Sequence, residues 1–249
     1  MAKFSPIPVF VLNLERDESR RQMITKQLDG VTGFDVRIIN GCYGPTLPDS
    51  VCLTLTQDHT WVQFKGTIGC FLSHVRAWEE IVKLSSAFAI VIEDDVQVEN
   101  IGRLISLHIP PDAELVFINE RLSAKIPNPA ELCVLPMWRA LQRLDTLHSS
   151  PGADGYLLTP EGAKKILAAC CRDLYFGHVD GRLLRYATSE VDLAALPNDS
   201  WIGSVIRNHH HQRLMPALGL VRGYCLSQPI VSHRGIISSR EIGDSADSP

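Results

Sequence analysis

An α/β sandwich built on a mainly parallel sheet is the fold class that the sequence predicts, on three observations. Short apolar runs alternate with stretches of helical periodicity from the amino terminus through the acidic cluster at Glu93–Asp95. The runs IPVFVLNL (Ile7 to Leu14) and FAIVI (Phe88 to Ile92) are almost continuously apolar, as in strands covered on both faces. The second run stops abruptly on Glu93, Asp94 and Asp95, at the strand end where open sheets of this class place their ligands.

Taken in order, Ile7 to Leu14 is the first buried strand, with Asn13 near its carboxyl end. ERDESRRQMITKQLDG then reads as a helix capped at Asp17 or Ser19, with Met23, Ile24 and Leu28 on its apolar side and Gly30 as its stop. Arg16, Arg20 and Arg21 stand at or just beyond that turn, where guanidinium forks could reach a diphosphate or a uracil, although any one of them taken singly reads first as part of a solvated helix face. Val36 to Ile39 is a short second strand. From Asn40 to Thr60 turn residues dominate, and a loop of that length in a compact domain is a candidate wall of a site.

GTIGCFLSHVRAWEEIVKL, from Gly66, carries Ile68, Phe71, Leu72, Val75, Trp78 and Val82 at helical spacing. His74 falls on the shoulder of that stripe and Ser73 well off it, so His74 on its own reads as a core histidine. ELVFIN (Glu114 to Asn119) is a further strand with Glu120 at its end, and Arg121 to Ser150 has no assigned structure. Tyr156 to Leu158 is a short strand, followed by a helix capped by Thr159 with Pro160 in its first position. Asp180 lies near the start of another helix, and late strands fall in Leu218 to Leu226 and Pro229 to Ser232. The consecutive His209, His210 and His211 share no helix face and read as a solvated loop. The whole is one domain over residues 1–240, with a flexible tail over 241–249.

Composition excludes several function classes. A net charge of -4 provides no basic field for nucleic acid. Seven cysteines without a CxxC pair suggest neither a disulfide framework nor a zinc ribbon, and a reducing, cytoplasmic compartment is expected. No run approaches the roughly 20 apolar residues of a spanning helix, so anything borne on a membrane would be met from the surface. Neither GxGxxG nor GxxxxGK is present. The acidic triplet itself suits a hard divalent cation bridging to a phosphate-bearing ligand, or else a solvated acidic turn.

Four separated stretches together resemble the family 25 glycosyltransferases, which include bacterial lipooligosaccharide galactosyltransferases and are similar to collagen galactosyltransferases. They are VFVLNLERDESRR from Val9, GTIGCFLSHVRAW from Gly66, AIVIEDDV from Ala89 and GADGYLLTPEGAKKIL from Gly152. HVDGRL from His178 and QPIVSHRGIISS from Gln228 look like weaker carboxyl-terminal motifs of the family. Thr67 departs from the pattern, which usually has a glutamate there.

The resemblance implies a GT-A type nucleotide-sugar-binding sandwich and inverting transfer of a hexose, usually galactose, from a UDP-sugar to an acceptor hydroxyl. It implies Mn²⁺ or Mg²⁺ at Asp95, with Glu93 and His233 as further metal contacts. Asn13, Arg16, Arg21, Ser73, His74, Glu93 and Asp94 would serve the nucleotide. Asp180 is the first candidate for general base, with Glu120 and Asp154 as alternatives. The implied partners are a UDP-hexose and a glycan or other hydroxyl acceptor, in lipooligosaccharide synthesis at the inner face of a membrane, with a peptide or small-molecule acceptor as the alternative. A catalytically silent nucleotide-sugar binder is the competing class. A signalling receiver is disfavoured because ELVFIN ends on Asn119, where that fold needs a phospho-accepting aspartate.

Overall fold

The computed structural model describes residues 6–57, 59–124, 131–147, 150–172, 178–208 and 218–234. β1 (Ile7–Asn13) is buried from Pro8 onward. It lies between two parallel partners, β2 (Phe34–Asn40) and β3 (Ala89–Glu93), which is why its sequence is apolar on both faces. Between β1 and β2 runs α1 (Glu18–Leu28), which buries Ile24 and Leu28 but leaves Met23 38% exposed, against the expectation for that residue. Asp17 is its N-cap residue but makes no capping bond through its side chain. Gly30 follows with φ of 71°, a left-handed turn that glycine enters without a Cβ penalty.

The stretch from Asn40 to Thr60 is more regular than its turn residues suggest: it holds a 3-10 turn at Gly44–Thr46 and α2 (Asp49–Thr56). α3 (Lys65–Val82) then packs Ile68, Phe71, Trp78 and Ile81 into the core. Ser73 is buried as well, contrary to its place on the helical wheel. The chain after β2 covers that face, and the Ser73 hydroxyl accepts the Cys42 N–H at 2.8 Å while donating to the Gly69 carbonyl at 2.8 Å.

Past β3 come β4 (Val96–Val98) and β5 (Leu115–Phe117), the latter shorter than ELVFIN. The described part of 121–150 is not structureless: it contains β6 (Val134–Pro136) and α4 (Met137–Leu147). β7 (Gly155–Leu158) and α5 (Pro160–Cys170) follow, and the Thr159 hydroxyl accepts the Gly162 N–H as the expected cap. The chain continues through α6 (Val179–Ala187), α7 (Glu190–Ala194), α8 (Trp201–Asn208), β8 (Gly223–Leu226) and β9 (Val231–His233). The expected histidine loop at 209–211 and the tail at 241–249 lie outside the described residues.

The main sheet has the order β2-β1-β3-β7-β5-β8-β6. β7 runs antiparallel to both β3 and β5, and β6 antiparallel to β8, so β2, β1, β3, β5 and β8 share one direction. The α/β class with a mostly parallel sheet is therefore as expected. Strand alternation splits the core into two layers. Phe10, Leu12, Val91, Phe117 and Tyr156 face α3, α5 and α6, while Val9, Val11, Ile90, Ile92 and Leu157 face α1 and the small antiparallel β4–β9 pair.

One close approach fixes the edge of the site. A Cβ at Gly69 of α3 would lie 2.5 Å from the Cys42 carbonyl oxygen and 2.6 Å from the Gly44 amide nitrogen, both rigid backbone. Only a hydrogen at that position lets the segment 42–44 lie on the helix. Gly69→Ala should therefore lower stability by about 1–3 kcal/mol in a denaturant melt. Gly181→Ala in α6, where an added Cβ meets nothing within 4 Å, should be neutral or stabilising by up to about 1 kcal/mol.

Candidate active site

The carboxyl ends of β1 and β3 open into a cleft of about 590 Å³, counted to its open mouth. Asn13 comes from β1, Arg20 from α1, Tyr43 and Gly44 from the covering loop, Cys70, Ser73 and His74 from α3, and Glu93, Asp94 and Asp95 from the end of β3. Parallel strands leave their carboxyl ends facing the same way, so one short turn of chain after each delivers its polar residues to the same place.

The three carboxylates are held by an unequal set of partners, one of which is shared. Asp94 accepts a 2.6 Å hydrogen bond from Asn13 Nδ2, and Asn13 is in turn oriented by Arg21 Nε, which donates to its Oδ1 at 3.1 Å. Arg20 reaches both aspartates, 3.5 Å from Asp94 and 3.7 Å from Asp95. Glu93 lies 3.3 Å from His74 Nε2. The opposite ring nitrogen, Nδ1, is 2.8 Å from the Tyr156 hydroxyl, which also accepts the Trp78 indole N–H at 2.8 Å. Asp95 Oδ1 is buried and has no hydrogen-bond partner among the described residues.

Burial pushes the Asp95 carboxyl up to about 7, and the charges of Glu93 and Asp94 push in the same direction against Arg20. Asp94 is also raised, by burial first, although the Asn13 hydrogen bond and Arg20 act against the shift. A buried oxygen without a donor, in a carboxyl reluctant to ionise, is what a hard cation would complete. The donor set therefore fits Mn²⁺ or Mg²⁺.

Of the residues singled out in the sequence, Asn13, Ser73, His74, Glu93, Asp94 and Asp95 line this one cleft. Arg21 acts through Asn13, and Arg16 lies over the Tyr43 ring at 4.5 Å in an adjoining shallow pocket. His233 is exposed on β9, where its backbone pairs with Val96 next to Asp95. Asp154 is buried and bonded to Arg121 at 3.1 Å, and its backbone carbonyl accepts the Glu93 N–H. Asp180 sits in the first turn of α6 and its carboxylate accepts the Gly152 N–H at 3.2 Å and the Ser150 hydroxyl, tying α6 to the segment before β7. Glu120 follows β5, outside the cleft lining. The pairing of Arg20 with Asp94 and Asp95, and any role for Tyr156, were not read from the sequence. Arg20 was visible as one of three clustered arginines, but its helical phase relative to the acidic triplet was not, and Tyr156 read only as strand.

A model of glycosyltransferase family 25, described as an LPS biosynthesis protein family, matches residues 6–176. The chain belongs to this family. The family 25 match covers both cleft-forming strands, α3 and the segment leading to β7. Among curated family 25 relatives, a probable inactive glycosyltransferase 25 family member 3 of Bos taurus is 34% identical over 173 residues, 65% of this chain and 28% of that protein. Procollagen galactosyltransferase 2 of Homo sapiens is 29% identical over 178 residues, 65% of this chain and 27% of that protein. The chain thus spans less than a third of the curated relatives it matches. A solved glycosyltransferase involved in glycosylation of the major capsid of PBCV-1 aligns at TM-score 0.39 and 10% identity, over 96% of this chain and 97% of that one.

The Asp95 shift has a sign that can be checked without any ligand. Its carboxyl holds a proton to about pH 7 in the folded state but only to its ordinary 3.8 when unfolded, so the folded state loses stability as pH rises between those values. Asp95→Asn removes that penalty. In chelator-treated protein the substitution should stabilise by about 1–3 kcal/mol more at pH 8 than at pH 5, measured by urea titration at both.

Proposed function

We propose that this chain transfers a hexose, galactose in the first place, from a UDP-sugar to an acceptor hydroxyl with inversion at the anomeric carbon. The observation that carries the reading is the partnerless buried Asp95 oxygen among three carboxylates at the strand ends of a cleft. Asp95 would hold Mn²⁺ or Mg²⁺ with Glu93 nearby, and such an ion supplies Lewis-acid assistance to the departing diphosphate. Asn13 and Arg20 hold Asp94 and Asp95 in place and partly offset the burial that favours their protonated forms, while Arg21 orients Asn13. Arg16 and Tyr43, in the adjoining shallow pocket, offer a stacking surface for the nucleobase. His74, locked by Tyr156, fixes the Glu93 carboxylate.

Inversion needs a base on the acceptor side. Asp180 is preferred to Asp154, because Asp154 is already neutralised by Arg121 and buried, whereas Asp180 is partly exposed. Galactose is preferred because relatives are named procollagen galactosyltransferases, and a lipooligosaccharide or other glycan acceptor fits the description of the matching family as LPS biosynthesis proteins. A peptide hydroxyl fits the same relatives. A second reading, a silent nucleotide-sugar binder, is favoured by the 34% identical relative named probable inactive and by Thr67.

Turnover separates the two. With Mn²⁺ and a panel of UDP-sugars, the protein should hydrolyse or transfer one of them, and Asp95→Ala should lose at least about 100-fold in rate; nucleotide binding without turnover for every sugar would establish the silent binder. Asp180→Asn should retain UDP affinity within about threefold while transfer falls by about 100-fold or more, read by calorimetry and by product mass spectrometry. Unchanged transfer would move the base elsewhere.

A further inference from the structure

We propose that Cys70, His74 and Glu93 form a second cation site, for a thiophilic divalent ion such as Zn²⁺, distinct from the hard-cation position at Asp95. Their ligand atoms, a thiol sulfur, an imidazole nitrogen and a carboxylate oxygen, all lie within 4.8 Å of one another. Cys70 and His74 are four residues apart on α3 and therefore share a face, and Glu93 reaches them from the end of β3.

Three details of the geometry point to a metal triad. First, His74 Nε2 and Glu93 Oε1 are 3.3 Å apart, long for a charge-assisted hydrogen bond of about 2.7–2.9 Å. It equals the edge of about 3.3 Å between N and O ligands at about 2.05 Å from a tetrahedral ion. Second, the remaining ring nitrogen of His74 is held at 2.8 Å by the Tyr156 hydroxyl, itself anchored by Trp78, which is how metal-bound imidazoles are oriented from behind. His74 and Tyr156 are both wholly buried, so the ring has no freedom to turn away. Third, the three ligands lie in the wall of the cleft, which leaves a fourth coordination position open toward it.

The donor set selects the ion. A thiolate with an imidazole favours zinc over manganese or magnesium, which prefer the all-oxygen surroundings of Asp94 and Asp95. On binding, the Cys70 S–H bond gives its proton to solvent, and the imidazole binds through Nε2 with its proton on Nδ1, facing Tyr156. Glu93 belongs to both groups, so zinc in the triad draws that carboxylate from the donor side of the cleft. Zinc binding itself does not depend on the transferase reading.

The test uses the full chain, stripped with chelator and kept reduced, titrated with Co²⁺ without nucleotide. A thiolate-to-cobalt absorption band in the near ultraviolet is expected at a single equivalent, displaced by Zn²⁺. Cys70→Ser should abolish the band, Glu93→Gln should weaken cobalt affinity at least tenfold, and Asp95→Asn should leave the thiolate band in place. Because Cys133 and Cys171 are exposed, their double serine variant serves as the control and should keep the band. A band that survives Cys70→Ser, one that disappears in the Cys133 and Cys171 variant, or no cobalt binding below millimolar overturns the site. Manganese-dependent turnover without the band would remove only this proposal, and the band without turnover would remove only the transferase reading.

Discussion

Burial of Asp94 and Asp95 beside Glu93, with the repulsion among the three carboxylates added to it, is the constraint around which the cleft is arranged. Like charges about 4 Å apart repel by about 4 kcal/mol at the effective dielectric near a protein surface, a large fraction of the net stability of a domain. The counterparts are unevenly shared: Asn13 serves Asp94, Arg20 is divided between Asp94 and Asp95, and His74 serves Glu93. Asp95 is the least provided for, and its carboxyl is the one pushed up to about 7.

Those counterparts come from elements that the two-layered core holds in place. Trp78 and His74 share the Tyr156 hydroxyl, so α3 is pinned onto its face of the sheet at β7 by the same group that orients the site histidine. On the other side Ser73 clips the segment after β2 onto α3, where glycine at 69 lets backbone meet backbone. A small number of buried polar groups thus join the wall of the cleft to its floor, and the surrounding aliphatic residues exclude water from them.

Much of this was legible in the chain. The continuous apolar runs of β1 and β3 announced strands with partners on both sides, and the triplet after Ile92 marked the ligand end of the sheet. Thr159 and Pro160 marked the start of α5 through local chemistry alone. What escaped reading depended on distant contacts. α2 was masked by flanking prolines and glycines, and β6 and α4 by the prolines of their region, whereas burial of Ser73 follows from a loop whose position sequence periodicity does not encode. The antiparallel sense of β7 was equally invisible, since a strand reads alike in either direction.

That strand has a bearing on how the chain assembles. β7 fills the space between β3 and β5, yet it lies more than sixty residues after β3 in the chain. During synthesis from the amino terminus, β1, β2 and β3 can pair among themselves, but one edge of β3 is bare until residues 155–158 leave the ribosome. Sheet closure is therefore a late, long-range event, of the kind that slows folding and exposes a sticky edge to other chains in the meantime.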